Sequence, residues 1–278
     1  MNRIACTHPG RLGDCLYSLP TVKRLCEIHN TTCDFYTSEY CLPLRKLFQN
    51  QSYISNFHVL KNYKVAHHCC GTQPWHMDIP NLYDEKGDVH NPWKNYSNIF
   101  QLGFHSFPDC ELHKFIARSV GINEDLPIEY EFEDIGFEEE EFNNFYPKYI
   151  VLAARAANSS FNSLLKEVCD KLSINVPIFE IGRKEDMIYQ EGYAYHGETP
   201  VKTIDFYDCL PLLHHAKCFI GLMSSQLVLA NGFPKLPKIC IYGDVPADMR
   251  HVIKSPTNHY LDKPNAEYLT RFIKQFIN

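Results

Sequence analysis

The sequence predicts an α/β protein of two consecutive halves, each built on a parallel sheet, and three observations lead there. A short β-like run, a glycine loop and a helix-spaced apolar series follow one another at the start of the chain. Strand-like and helix-like segments then alternate, the pattern of βαβ units with both sheet faces covered. Beyond the acidic run Glu138 to Glu141 the same order begins again. The halves are expected at 1–145 and 146–278, with the terminal helix free to pack back on the first.

Taken in order, Arg3 to Thr7 is the opening strand. The loop His8-Pro9-Gly10-Arg11-Leu12-Gly13-Asp14 follows, and Leu16, Leu19, Val22, Leu25 and Cys26 recur at helical spacing. Cys33 to Thr37 gives a second strand, Leu42, Leu44, Leu47 and Phe48 a short helix, and Ile54 to Leu60 a third strand. From Cys70 to Pro108 no clean period runs, so long loops are expected with a short helix near Tyr96 to Leu102. Leu112 to Val120 is helical and stops at Gly121, a residue suited to a C-terminal cap. The acidic run reads as a solvated face or linker.

In the second half, Tyr149 to Ala154 is a strand, Arg155 to Phe161 a polar loop and Leu164 to Leu172 a helix. Pro177 to Ile181 is the next strand, closed by Gly182. Tyr207 to Ala216 is helical, Cys218 to Gly221 a strand, Ser224 to Ala230 a helix and Ile239 to Gly243 a strand. Leu269, Phe272, Ile273 and Phe276 give the terminal helix one apolar face.

Composition narrows the function. The chain has 278 residues, 27 Lys plus Arg against 33 Asp plus Glu, and a net charge of −6. That balance argues against a dedicated nucleic-acid binder, which carries a basic stripe. At 45% hydrophobic residues the chain has an ordinary globular composition, and general disorder is excluded. Met1 to Leu12 hold no apolar block of signal-peptide length, and no window approaches the ~18 apolar residues of a membrane span. A cytoplasmic protein is expected, with peripheral membrane contact still open. The twelve cysteines are irregularly spaced and read as reduced, buried small hydrophobes.

Parallel sheets bind ligands beyond the carboxyl ends of their strands, so the expected site is the crevice between the two halves. Gly10 and Gly13 are spaced Gly-x-x-Gly, which lacks the dinucleotide fingerprint and disfavours NAD. Glycines at this turn allow close approach of a ligand to the backbone. Asp14 reads in two ways, as a helix N-cap and as a general base that takes a proton from an attacking hydroxyl.

The stretch from His8 to Pro20 resembles the opening of the bacterial heptosyltransferases, glycosyltransferase family nine. There a strand enters a loop ending Gly-Asp, followed by an apolar helix start and a Leu-Pro pair. Phe179 to Gly182 resembles that family's strand and glycine before the nucleotide loop. The order of Leu212 to Gly221, Leu229 to Gly232 and Lys238 to Gly243 is similar to its later helix, strand, helix and strand. The likeness covers the first 25 residues and most of 149–245, and leaves 61–145 unmatched.

The resemblance implies a GT-B fold, two Rossmann-like domains facing each other across a cleft, the first on the acceptor side and the second binding the nucleotide sugar. It implies inverting transfer without a metal or other cofactor, from a nucleotide-sugar donor to a glycan, lipid-linked or other hydroxyl acceptor. The family's catalytic aspartate falls on Asp14. The sequence departs from the family where an Asp and, a few residues on, a His usually face the donor diphosphate. Met223 and Val228 stand there, Ser224 keeps the hydroxyl position and Ser225 replaces a glycine.

A helix start with Ser224, Ser225 and Gln226 can still offer amides and hydroxyls to phosphate oxygens, although serines there also serve as plain caps. Arg155, Arg183 and Lys184 are candidate cations for the leaving diphosphate, Arg155 first among them, against the ordinary use of such residues as solvated surface. Glu185 or Asp186 is a candidate for a donor ribose, and Gly243 with Asp244 forms another strand end able to meet a substrate.

Other constellations are weaker. His67, His68, Cys69, Cys70 and His76 are zinc-type ligands without a second pair at finger spacing, so no metal site is assigned. His214 and His215 close a helix, where positive charge suits the dipole. Trp75, Trp93, Tyr96, Phe100 and Phe104 suit either an acceptor sugar or core packing. Two competing functions stay open: a non-catalytic nucleotide-sugar binder with a degenerate donor site, and a transferase acting on modified nucleic-acid bases, which the acidic balance disfavours.

Overall fold

The computed structural model describes residues 3–63, 81–103, 106, 108–133, 148–154, 161–172, 176–182, 205–242 and 252–277. The chain divides into two compact units, Met1–Phe132 with Asp248–Ile253, and Glu133–Ala247 with Lys254–Asn278. Each holds a sheet whose strands all run parallel.

In the first unit, β1 (Ile4–His8), β2 (Cys33–Ser38), β3 (Ile54–Leu60) and β4 (Asn98–Gln101) lie in the order β3-β2-β1-β4. Helix α1 (Leu12–His29) connects β1 to β2, and a 3-10 turn (Glu39–Leu44) with α2 (Arg45–Gln49) connects β2 to β3. Helix α1 stops at Asn30, whose left-handed backbone (φ 48°, ψ 50°) lets its N–H reach the carbonyls of Cys26 and Glu27. Helix α3 (Leu112–Ser119) packs along α1.

On one face of this sheet, Ala5, Tyr36, Leu60, Tyr63 and Leu82 form a buried cluster against which Trp93, Tyr96 and Ile99 pack. The Tyr36 ring lies 5.0 Å from Trp93 and 6.1 Å from Tyr96, centroid to centroid. Those two aromatics therefore serve packing. Phe100 sits 5.3 Å from His29. Trp75, Phe104 and the candidates His67, His68, Cys69, Cys70 and His76 lie outside the described residues.

The helix expected near Tyr96 to Leu102 is a strand, β4, preceded by a short 3-10 turn at Trp93–Asn95. Register decides it: Ile4 to Thr7 pair with Asn98 to Gln101, a contact across some ninety residues that no local pattern announces.

The second sheet runs β6-β5-β7-β8-β9, from β5 (Ile150–Ala153), β6 (Ile178–Glu180), β7 (Cys218–Leu222), β8 (Lys238–Tyr242) and β9 (Asn258–Asp262). Its helices are α4 (Asn162–Leu172), α5 (Cys209–His215), α6 (Ser225–Ala230) and the terminal α7 (Ala266–Ile277). Apolar residues of β5 to β8 share one core with Leu165, Val168 and Leu172 of α4 and with Leu269, Ile273 and Ile277 of α7. The apolar stripe of the terminal helix is thus used within the second unit. The ten described cysteines are all free thiols, nine of them buried. Among the described residues no helix is long and apolar enough to cross a membrane.

Candidate active site

The carboxyl end of β1 is where a polar ligand would first meet unpaired backbone. The chain leaves the sheet at His8, turns at Gly10 and enters α1 at Leu12. Gly10 is required there: a Cβ on it would stand 2.6 Å from His8 Nδ1 and 2.7 Å from Asp14 Cβ. The missing side chain is what allows the imidazole and the carboxylate-bearing residue to close on the turn from both sides.

The Gly10 amide donates to His8 Nδ1 at 2.9 Å. The ring is buried, and burial pushes its pKa down to about 3, so His8 stays neutral and acts as an acceptor. The two loop carbonyls are held as well. Thr37 Oγ1 donates to the His8 carbonyl at 2.8 Å, and the Cys41 thiol to the Gly10 carbonyl at 3.3 Å. Cys15 Sγ lies 3.5 Å from both Thr37 Oγ1 and Cys41 Sγ. The end of β2 and the turn after it therefore pin the loop from below.

Asp14 is the third residue of α1, and the N-cap position belongs to Arg11. Its Oδ2 accepts the Arg11 N–H at 3.0 Å, satisfying one of the orphan amides of the helix start. The side chain is half-buried in dense surroundings. Burial raises its pKa to about 6, against the Arg11 amide and guanidinium, which pull it down. Oδ2 serves the helix start, while Oδ1 makes no hydrogen bond among the described residues.

Gly182 and the Ser224 to Gln226 run follow β6 and β7, at the carboxyl edge of the second sheet. Gly182 has a left-handed backbone, φ 145°, and a Cβ there would come within 3.8 Å of Gln226 Nε2, so these two sequence candidates are neighbours. Ser224 occupies the N-cap position of α6 without making a side-chain cap bond, and its buried Oγ has no partner among the described residues. Ser225 Oγ donates to Gln226 Oε1 at 3.2 Å. Met223 is half-exposed and Val228 packs inside. Arg155, Arg183, Lys184, Gly243 and Asp244, with Glu185 and Asp186, lie outside the described residues.

Solved structures share this architecture over nearly the whole chain. A glycosyl transferase family 9 protein from Veillonella parvula superposes with a TM-score of 0.64 at 12% identity, covering 100% of this chain and 90% of that one. The E. coli heptosyltransferase WaaC, solved with ADP-2-deoxy-2-fluoro heptose, gives 0.60 at 11% identity, covering 98% and 99%. The E. coli ADP-heptose lps heptosyltransferase II gives 0.56 at 12% identity, covering 99% and 98%. This chain has the heptosyltransferase-like GT-B fold. No protein-family model matches the sequence, and no curated protein matches it.

The sequence singles out Gly10 and Asp14 as candidates but not the residues that hold the loop around them. His8, Cys15, Thr37 and Cys41 are the supports. Each reads in the sequence as an ordinary strand, helix or turn residue. The one available signal was His8 itself, a polar ring closing an apolar strand just before Pro-Gly.

Proposed function

We propose that the chain is an inverting, metal-independent glycosyltransferase that moves a sugar from a nucleotide-sugar donor to a hydroxyl acceptor, with Asp14 as the base. The single observation carrying this reading is the Asp14 carboxylate: held by Arg11 at one oxygen and raised by burial to about 6, it is basic enough to take a proton near neutral pH and ionised enough to be ready. The fold supports it, and one structural neighbour was solved with an ADP-heptose analogue.

In the proposed reaction Asp14 accepts the proton of the acceptor hydroxyl as its oxygen attacks the anomeric carbon. The bond from that carbon to the nucleotide breaks, and the nucleoside diphosphate leaves with the electron pair. Ser224, Ser225 and Gln226, with Arg155, Arg183 and Lys184, are assigned to the diphosphate, where donors and cations offset the growing negative charge. Gly13, Gly182 and Gly243 are assigned to leave room for substrate beside the backbone, whereas the space at Gly10 is filled by His8 and Asp14, and Asp244 is kept as a donor-side contact. The acceptor is a glycan, lipid-linked or other hydroxyl, and the compartment the cytoplasm.

Asp14→Asn tests this. The amide side chain keeps an oxygen for the Arg11 N–H, so folding and calorimetric binding of a nucleotide sugar should persist while transfer falls by at least about a hundredfold, the usual contribution of a positioned base. Equal transfer rates for the two proteins would remove Asp14 from that role. A second reading, a binder that has lost transfer, is favoured by Met223 and Val228 where the resembled family has Asp and His. Binding across a nucleotide-sugar panel with no release of nucleoside diphosphate would select it.

A further inference from the structure

The carboxyl edge of the first sheet holds two buried donors without a partner among the described residues. Gln101 ends β4 beside Thr7 of β1. Its Oε1 accepts hydrogen bonds from Thr7 Oγ1 and, at 3.2 Å, from the Tyr63 hydroxyl. Its Nε2 has no partner among the described residues, although the residue is only 5% exposed. Ser38 ends β2 on the other side of β1 and is 3% exposed. Its hydroxyl is likewise buried without a partner among the described residues and makes no cap bond to the 3-10 turn it begins.

Register puts these groups on one face. Thr7 pairs with both Tyr36 and Gln101, and Ser38 follows Tyr36 by two residues, so Ser38, Thr7 and Gln101 point the same way. Two strand spacings, roughly 10 Å, separate the strands that carry Ser38 and Gln101. A buried donor left unmade lowers stability, and two such donors on one face at the strand ends, Ser38 two residues beyond the level of Gln101, where parallel sheets bind ligands, are explained together by a ligand. Both donors are neutral. They match sugar hydroxyl and ring oxygens, whereas a phosphate is ordinarily met by charge.

We propose that Gln101 and Ser38 bind the acceptor, and that the acceptor portion held there is a neutral, hydroxyl-rich sugar spanning the end of β1. The inference rests on the transferase reading for what the bound sugar is used for. Where the sugar sits follows from the first unit alone. Thr7 and Tyr63 hold the Gln101 amide by its oxygen, so its N–H groups are oriented before any ligand arrives.

The test is a titration of the uniformly 15N-labelled full chain with methyl hexopyranosides and lactose, read on the side-chain amide of Gln101 and assigned by its disappearance in Gln101→Glu. Saturable movement of that signal is expected. Ser38→Ala should weaken the response about tenfold, one net hydrogen bond, without lowering the melting temperature, because no protein partner is lost. Gln101→Glu keeps an oxygen for Thr7 and Tyr63 but lacks the reporter amide, so its affinity is measured by calorimetry against the parent with the same sugars and should fall at least as much.

A Gln101 amide unmoved at the solubility limit of every probe, or unchanged affinity in both variants, would overturn the proposal and leave only trapped water on these donors. No nucleotide sugar enters the titration. A protein that never releases nucleoside diphosphate can still show the sugar site, and one that does release it can still fail here.

Discussion

Gly10 shows how a single absent carbon sets a site. Alanine there must displace both the His8 ring and the Asp14 side chain, each already held by a hydrogen bond. Gly10→Ala is expected to cost about 1–3 kcal/mol, the usual range for forced overpacking, and to reduce transfer as well. Denaturant midpoints and initial rates on the purified variant check both. Asp14 carries a pH signature. Transfer should fall tenfold per unit as pH drops below about 6, where the base is protonated. Its folded pKa lies above the unfolded value of 3.8, so its ionised form weakens the fold. That penalty is absent below about 4 and complete above about 6. Asp14→Asn should therefore melt higher than the parent at pH 7 and alike at pH 4. A melting-temperature difference independent of pH would contradict the burial argument.

At the scale of elements, what the sequence disclosed depended on how local each signal was. Strand β1, its loop and α1 were legible because glycine punctuation and a clean helical spacing lie within thirty residues. Strand β4 was not, since Asn98-Ile99-Phe100-Gln101 has no alternation and becomes a strand only through β1. Strand β9 is likewise defined by β8, which it pairs from Lys238 to Tyr242. Lys238 is a related case: composition marks a lysine as surface, yet its Nζ is buried and donates to the carbonyls of Phe233 and Leu236 at 2.9 and 2.7 Å. Burial brings its pKa down to about 8. In the site, Asp14 could be read from its neighbours, whereas Ser38, Thr37 and Gln101 are assembled by register. Strand β7 supplies an element-scale prediction. A Cβ at Gly221 would stand 2.9 Å from both the Ala153 carbonyl oxygen and the Phe219 ring, in the middle of the second sheet. Gly221→Ala should lower the unfolding free energy by about 1–3 kcal/mol, seen as a lower urea midpoint with the slope unchanged.

For the whole molecule, buried histidines set the acid limit. His8, His58 and His113 all have pKa values lowered by burial, His8 to about 3 from 6.5. The unfolded chain takes up their protons first, so stability is full above about 6.5 and declines as pH falls, by up to ~1.4 kcal/mol per unit for each group. His90 and His259 are lowered by burial as well, so Asp14, which runs the other way, is one group against five histidines among the described residues. The melting temperature should be lower at pH 5 than at pH 7, and an unchanged value would count against this account. The thiols beneath the first loop have a practical consequence. Cys15 and Cys41 are sealed under Gly10, while Cys110 stands partly open. An alkylating reagent should mark Cys110 first of these three, slowed by burial that raises its pKa, and reach the sealed pair only when the loop lifts. Adduct masses followed over time would make the protein a stopwatch for the lifting of its first loop.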